Sequence, residues 1–176
     1  RALLDANNAP ASIVVRPYGI VREQLAALLR GSGVETHDVP RVPDSLRLGS
    51  GGVTLTELGA FKQGALYVQD PAATLVVQYA DIPEGSVVAD LCAAPGSKAL
   101  ELSRRASLVL AADRNMARVD KMMQGFDRLD AAKLQVIVAD ALHPAITPVD
   151  VVLVDVPCTG TGTFRRLPDA RWRLQV

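Results

Sequence analysis

The chain has 176 residues, 49% of them hydrophobic and 22% charged, and its 19 basic and 19 acidic side chains cancel to a net charge of zero. This composition, with a mean hydropathy of +0.18, supplies enough apolar side chain for a folded core and excludes an intrinsically disordered chain. It also excludes a generic polyanion binder, though not a local basic patch, and the length suits one domain or one domain with a small accessory lobe.

The opening residues RALLDANNAPAS contain no apolar segment of the signal-peptide kind, and the initial Arg in place of Met points to a processed or excerpted piece. SIVVRP (12–17) reads as a short strand. VREQLAALLRGSG (21–33) reads as a helix, with Val21, Leu25, Leu28 and Leu29 at helical spacing and Gly31 and Gly33 at its end. From Asp38 to Leu66 the chain is rich in Gly, Pro and Ser, which predicts loops, short strands and a helical turn near 55–61. LYVQD (66–70) closes this region as a strand, so residues 1–70 are expected to form a small α+β lobe that serves as an RNA-binding or accessory unit.

Residues 71–176 alternate more regularly. Pro71 suits the first turn of a helix that AATLVVQYA continues. A turn at Pro83, Glu84 and Gly85 precedes the strand SVVADLC (86–92). The helix SKALELSRRA, the strand SLVLAAD, the helix NMARVDKMMQGFDRL and the strand LQVIVAD follow in order. After a loop at 144–148 comes a fourth strand, VDVVLVDV (149–156). Apolar, β-branched strands separated by helices predict a doubly wound α/β domain with a parallel sheet covered on both faces. Four strands leave that sheet incomplete at its C-terminal end, with an apolar edge, so either further protein is expected beyond Val176 or another chain is expected to cover the edge.

Open parallel sheets bind ligands beyond the carboxyl ends of their strands. All four strands end on an acid there: Asp90, Asp113, Asp140 and Asp155. A lone Asp in such a place reads equally well as a cap for the next helix or turn, but four equivalent ones point to a site. The turn after the first strand holds Cys92, Ala93, Ala94, Pro95, Gly96, Ser97 and Lys98. Gly96 would admit close backbone approach by a ligand, and the alanines leave room beside it. The turn matches neither the dinucleotide pattern G-x-G-x-x-G nor a P-loop, so Lys98 is not a nucleotide-phosphate lysine by that rule. Asp113 is placed to accept from ribose hydroxyls, and Asp140 to meet an adenine amino group or a cation. S-adenosylmethionine suits this set; NAD satisfies part of it.

The two cysteines, Cys92 and Cys158, have no framework spacing, which points to a reducing, cytoplasmic compartment. They are too few for a zinc site, and His37 and His143 add no ligand spacing. Cys92, at a strand end before two alanines, reads as packing. Cys158 reads either as a buried structural thiol or as a nucleophile whose thiolate Arg165 and Arg166 would stabilise. Those arginines, with Arg171 and Arg173, form the one local basic patch, opposed only by Asp169.

Taken together, YVQDPAA (67–73), VADLCAAPGSK (88–98), AADRN (111–115), IVADA (137–141), VLVDVPCTGTG (152–162) and RRLPDARWR (165–173) resemble the RsmB/Nop2/Sun family of RNA cytosine-5 methyltransferases, most closely its bacterial 16S ribosomal RNA members. The resemblance implies a class I methyltransferase (Rossmann-like) fold and S-adenosylmethionine as methyl donor. It implies ribosomal RNA as partner, with neither a metal nor a membrane. It assigns Cys92 through Lys98 to the cofactor loop, Asp113 to the ribose, Asp140 to the adenine, and Asp155 to the methionine end and the target base. Arg165, Arg166 and Arg171 would contact phosphates, and Trp172 would stack on a base. It also reassigns Cys158 from attack to product release, because the family's nucleophile is a Thr-Cys cysteine on a later strand. With no such cysteine here, the chain alone is expected to be inactive. Ser97 and Ala99 stand where the family often has Gly and Thr, and Leu167 where it often has His. Two rivals are a non-catalytic RNA-binding assembly factor that keeps the fold and an NAD-dependent enzyme.

Overall fold

A computed structural model of the chain describes Arg1, Asp5, Asn8, Ala9, residues 11–49 and 54–166, Asp169 and Trp172. The first strand, β1 (Val14–Pro17), is buried along its whole length. It pairs antiparallel with β3 (Leu46–Leu48) and β4 (Leu66–Val68), and β2 (Thr36–Asp38) pairs with β3, giving the order β2-β3-β1-β4. Helix α1 (Arg22–Gly31) packs on this sheet through Leu25 and Leu29, one turn apart and both 0% exposed. Burial of each contributes about 1.5–3 kcal/mol. Val21 and Leu28, expected on the same face, are largely exposed. Val21 is the cap residue outside the helix, and Leu28 lies at the margin of the apolar stripe. A 3-10 turn (Leu55–Glu57) and the short helix α2 (Gly59–Lys62) occupy the expected helical turn.

The second sheet is parallel. Its strands are β5 (Val87–Asp90), β6 (Leu108–Asp113), β7 (Leu134–Val138) and β8 (Val151–Leu153), in the order β7-β6-β5-β8. Three helices serve it: α3 (Pro71–Ala80), α4 (Ser97–Leu102) and α5 (Met116–Arg128). Asp70 caps α3 by accepting from the Ala72 N–H at 2.6 Å, ahead of Pro71. Asn115 caps α5 by accepting from the Arg118 N–H at 3.1 Å. Each cap occupies a backbone donor that the helix itself leaves without a partner.

The two faces of the parallel sheet are covered differently. Val88, Val109 and Ala111 point into a core filled by Val77, Ala99, Leu100, Leu102, Val119, Met122 and Phe126 from the three helices. The alternate residues Ala89, Leu110 and Ala112 meet Ile137, Ala139, Ile146 and Val149, none of them helical. Helical cover on both faces, expected from the sequence, is therefore absent among the described residues. The connection from β7 to β8 carries Pro144 and Pro148, which interrupt helix formation. The strand expected over 149–156 is also shorter. Only Val151–Leu153 pairs with β5, and beyond it Val154 and Val156 are about half exposed.

The two sheets meet through polar groups. Arg16 on β1 is 1% exposed, and its Nη2 donates to Glu101 Oε1 on α4 at 3.0 Å. Arg16 Nε lies 2.9 Å from Glu101 Oε2, an ion-pair contact not aligned as a hydrogen bond. The Tyr67 hydroxyl donates to the same Oε2 at 2.8 Å. Burial and the neighbouring Glu101 push that phenol up to about 12, so it remains a donor. At the far end of the seam Arg128 Nη1 and Nη2 donate to the Phe61 and Leu66 carbonyls at 2.7 and 3.0 Å.

Candidate active site at the carboxyl ends of the parallel strands

Because β5 to β8 run parallel, their carboxyl ends share one edge, and the strand order reverses at β5, between β6 and β8. That is the position at which open α/β sheets bind ligands. The chain leaving β5 is held between its neighbours. The Leu91 N–H donates to the Leu153 carbonyl at 3.0 Å and the Ala93 N–H to the Ala112 carbonyl at 2.8 Å. A cavity of about 600 Å³ opens above this edge. It gathers Asp90, Asp113, Asp140 and Asp155, the loop residues Cys92, Ala93, Ala94, Pro95, Ser97 and Lys98, and Cys158. Ten of the eleven residues to which the sequence assigned the cofactor or catalysis thus line one space, with Asp90 added.

Gly96 is the exception. Its N–H donates to the Ala93 carbonyl at 2.7 Å, and its φ is +100°. A Cβ there would lie 2.7 Å from Phe126 Cε1 and 2.9 Å from Met122 Cγ. The residue must be glycine because α5 packs against it, a requirement separate from the close backbone approach to a ligand expected from the sequence.

The four acids differ in environment. Asp90 is 1% exposed. Its Oδ1 accepts weakly from the Cys92 N–H at 3.4 Å, and its Oδ2 is buried with no hydrogen-bond partner among the described residues. Burial pushes this carboxyl up to about 6; the Cys92 N–H and Lys98 pull it down, and Asp155 and Asp113 add to the rise. Asp113 is also buried, but both its oxygens are occupied: Oδ1 accepts from the Asn115 N–H at 3.0 Å, and Arg118 Nη1 lies 3.1 Å from Oδ2. The same guanidinium donates to the Ala94 carbonyl, so it ties the loop to the second acid. Asp140 is exposed, with Oδ1 accepting from the Leu142 N–H at 3.0 Å. Asp155 pairs with Lys98 Nζ at 2.6 Å at the solvent edge, where such a pair adds little stability.

Asp90, Arg114 and Arg118 also line the cavity, and the sequence gives none of them an individual role there. Asp90 was visible as the acid ending the first apolar strand. Arg118 carried no signal beyond its place in the first turn of the following helix, since its reach back to Ala94 depends on how α5 is rotated.

The thiols divide sharply. Cys92 is half-buried and lines the cavity rather than serving only as packing. Burial, followed by Asp113 and Asp90, raises its pKa, so the thiol form is favoured. Cys158 is exposed, which removes the reading as a buried structural cysteine; its Sγ accepts from the Gly160 N–H at 3.4 Å. Arg165 and Arg166, expected to stabilise its thiolate, line a different cavity of about 470 Å³ with Asp38, Arg47 and Asp70. Arg166 ion-pairs with Asp70, and Arg165 Nε donates to the Ala9 carbonyl at 3.1 Å. Asp169 is therefore not the only acid that opposes the basic patch. Trp172 is 87% exposed; Arg171, Arg173 and Leu167 lie outside the described residues.

Residues 77–176 match the family model described as 16S rRNA methyltransferase RsmB/F. The ribosomal RNA small subunit methyltransferase B of Cronobacter sakazakii is 35% identical over 98% of this chain and 42% of its own length. The protein of the same name from Vibrio cholerae is 33% identical over 97% of this chain and 41% of its own. The chain thus spans about two fifths of the length of the curated relatives it matches. Among solved structures, a methyltransferase homolog protein from Pyrococcus horikoshii superposes with a TM-score of 0.79 at 25% identity, over 96% of this chain and 58% of that one. NSun6 from the same organism superposes with a TM-score of 0.77 at 17% identity, over 89% and 66%, a likeness of fold. The acid-ended parallel strands, the loop between them and the sequence matches agree: the chain belongs to the 16S rRNA methyltransferase RsmB/F family.

Proposed function

We propose that this chain is the cofactor-holding part of an S-adenosylmethionine-dependent enzyme that methylates C5 of cytosine in 16S ribosomal RNA. The observation that carries the reading is the strand-end cavity, in which four carboxylates face three cations, Lys98, Arg114 and Arg118. Two of those carboxylates already have cationic partners in Arg118 and Lys98. Asp90 Oδ2 is buried with no hydrogen-bond partner among the described residues, so this acid adds uncompensated negative character beneath the cavity. A ligand with ammonium and sulfonium charges fits such a lining; a dinucleotide diphosphate would bring like charge against it. When bound, S-adenosylmethionine supplies an electrophilic methyl group.

In this reading Asp113, held rigid by Arg118 and Asn115, accepts from the ribose hydroxyls. Asp140 meets the adenine amino group. Residues 92–98 and Asp155 hold the methionine end. The Lys98–Asp155 pair stands at the open rim, where a cytosine drawn out of its stack would enter. Cys158 serves product release. Cys92, favoured as a thiol, is a poor nucleophile, so attack on C6 falls to neither thiol of this chain, and the chain alone binds cofactor without turnover. Arg165, Arg166, Arg171 and Trp172 contact the RNA.

Bisulfite mapping of 16S rRNA from a strain lacking the gene tests the reaction. Loss of a protected cytosine is expected; a map identical to that of the parent strain would contradict the reading.

A further inference from the structure

Gln69 is 2% exposed and lies immediately after β4 of the antiparallel sheet. Its backbone N–H donates to the Val14 carbonyl on β1 at 3.1 Å, which fixes its main chain to that sheet. Its side chain crosses to the parallel sheet, where Nε2 donates to the Ser97 carbonyl at 3.0 Å. The other end of the amide is also held: Thr74, 0% exposed in the first turn of α3, donates its hydroxyl to Gln69 Oε1 at 2.9 Å. With both ends engaged, turning the amide over would set its oxygen against the Ser97 carbonyl and lose that bond. Ser97 belongs to the loop that lines the strand-end cavity, and four residues on Glu101 is gripped by Arg16 and Tyr67 of the same antiparallel sheet. Helix α4 is therefore held from one side at its first residue and again one turn later.

We infer that Gln69 is a positioning residue for the cofactor loop, a buried amide through which the antiparallel sheet sets where residues 93–98 stand relative to Asp113. The inference rests on the cofactor reading proposed above. It makes a selective claim, because the loop faces the methionine end of the ligand, whereas Asp113 and Asp140 face the adenosine end. Loss of the Gln69 contact should weaken ligands that carry the amino-acid tail and spare those that lack it. A role confined to stability would lower both affinities together.

The test is calorimetry on the whole chain with S-adenosylhomocysteine and with 5′-methylthioadenosine, which lacks the amino-acid tail. Gln69→Leu is expected to raise the Kd of S-adenosylhomocysteine about tenfold, the scale of one lost buried hydrogen bond, and to leave that of methylthioadenosine within about twofold. Thr74→Val, which keeps shape and removes the hydroxyl, should show the same selectivity at about threefold, a fraction of one hydrogen bond. Thr74→Ser should bind as the parent chain does. If Gln69→Leu does not fold, the Thr74 pair decides. Equal weakening of both ligands, or none, overturns the inference while the cofactor reading stands. A parent chain that binds neither ligand overturns both.

Discussion

Asp90 sits where its charge is least welcome, buried beside Asp113 and Asp155 with one oxygen unpartnered. Its carboxyl is raised from 3.8 to about 6 on folding, so between those values the folded state holds the proton more firmly than the unfolded one. Stability from this group is therefore complete below pH 4 and is lost as pH rises through 6, a swing of about 3 kcal/mol at most. Asp90→Asn should be more stable than the parent at pH 8, with the gap closing by pH 4, as read from urea unfolding at the two pH values. A gap of the same size at both would refute the assignment. The acids Asp113, Asp140 and Asp155 were legible in the sequence because each ends an apolar run, and strand direction alone sends them to one edge. Their partners were not legible. Arg118 finds Asp113 and Ala94, and Lys98 finds Asp155, only once helices and strands are docked.

At the scale of elements, α4 and α5 set the loop that the acids face. Gly96 joins the two: its positive φ ends the loop, and its missing side chain admits Phe126 and Met122. Gly96→Ala should destabilise the chain by about 2–4 kcal/mol, the sum of a left-handed backbone and an overpacked contact. A thermal melt within a degree of the parent would contradict this. The seam between the sheets rests on Arg16 and Glu101, which are 85 residues apart in sequence. Arg16→Met leaves Glu101 buried with fewer partners and should cost about 3 kcal/mol, while adding Glu101→Leu should recover much of that loss. Additive losses in a double-mutant cycle would show the pair to be uncoupled. No periodicity announces such a seam, since an Arg in a strand and a Glu in a helix each read as solvent-facing. The helices and parallel strands themselves were readable because their apolar periods run for several residues. The strands Thr36–Asp38 and Leu46–Leu48 were not individually readable, because three residues carry no period and distant partners select them.

For the whole molecule, the covered and uncovered surfaces follow from topology. The three helices fill one face of the parallel sheet, the 139–150 connection partly fills the other, and the acid-lined edge stays open between them. The sequence carried the class of fold and the edge at which the four acids gather. It did not carry the thin cover of the second face, because prolines at 144 and 148 mark a loop without showing that this loop replaces a crossover helix. Nor did it carry the separation of the arginines from the thiol: Arg165 and Arg166 are seven and eight residues after Cys158 yet line the cavity beside Arg47 and Asp70. The antiparallel sheet thus holds the 92–98 turn and α4 through Gln69, Arg16 and Tyr67 and also walls the arginine-lined cavity through Asp38 and Arg47. The central claim is that the strand-end cavity holds S-adenosylmethionine with Asp113 on its ribose. Calorimetric titration of the whole chain and of Asp113→Ala with that ligand tests it most directly. The account predicts one saturable site in the parent and affinity at least about tenfold weaker in the variant, the loss of a charged hydrogen-bond acceptor. Equal affinity in the two, or no binding by the parent chain, would contradict it.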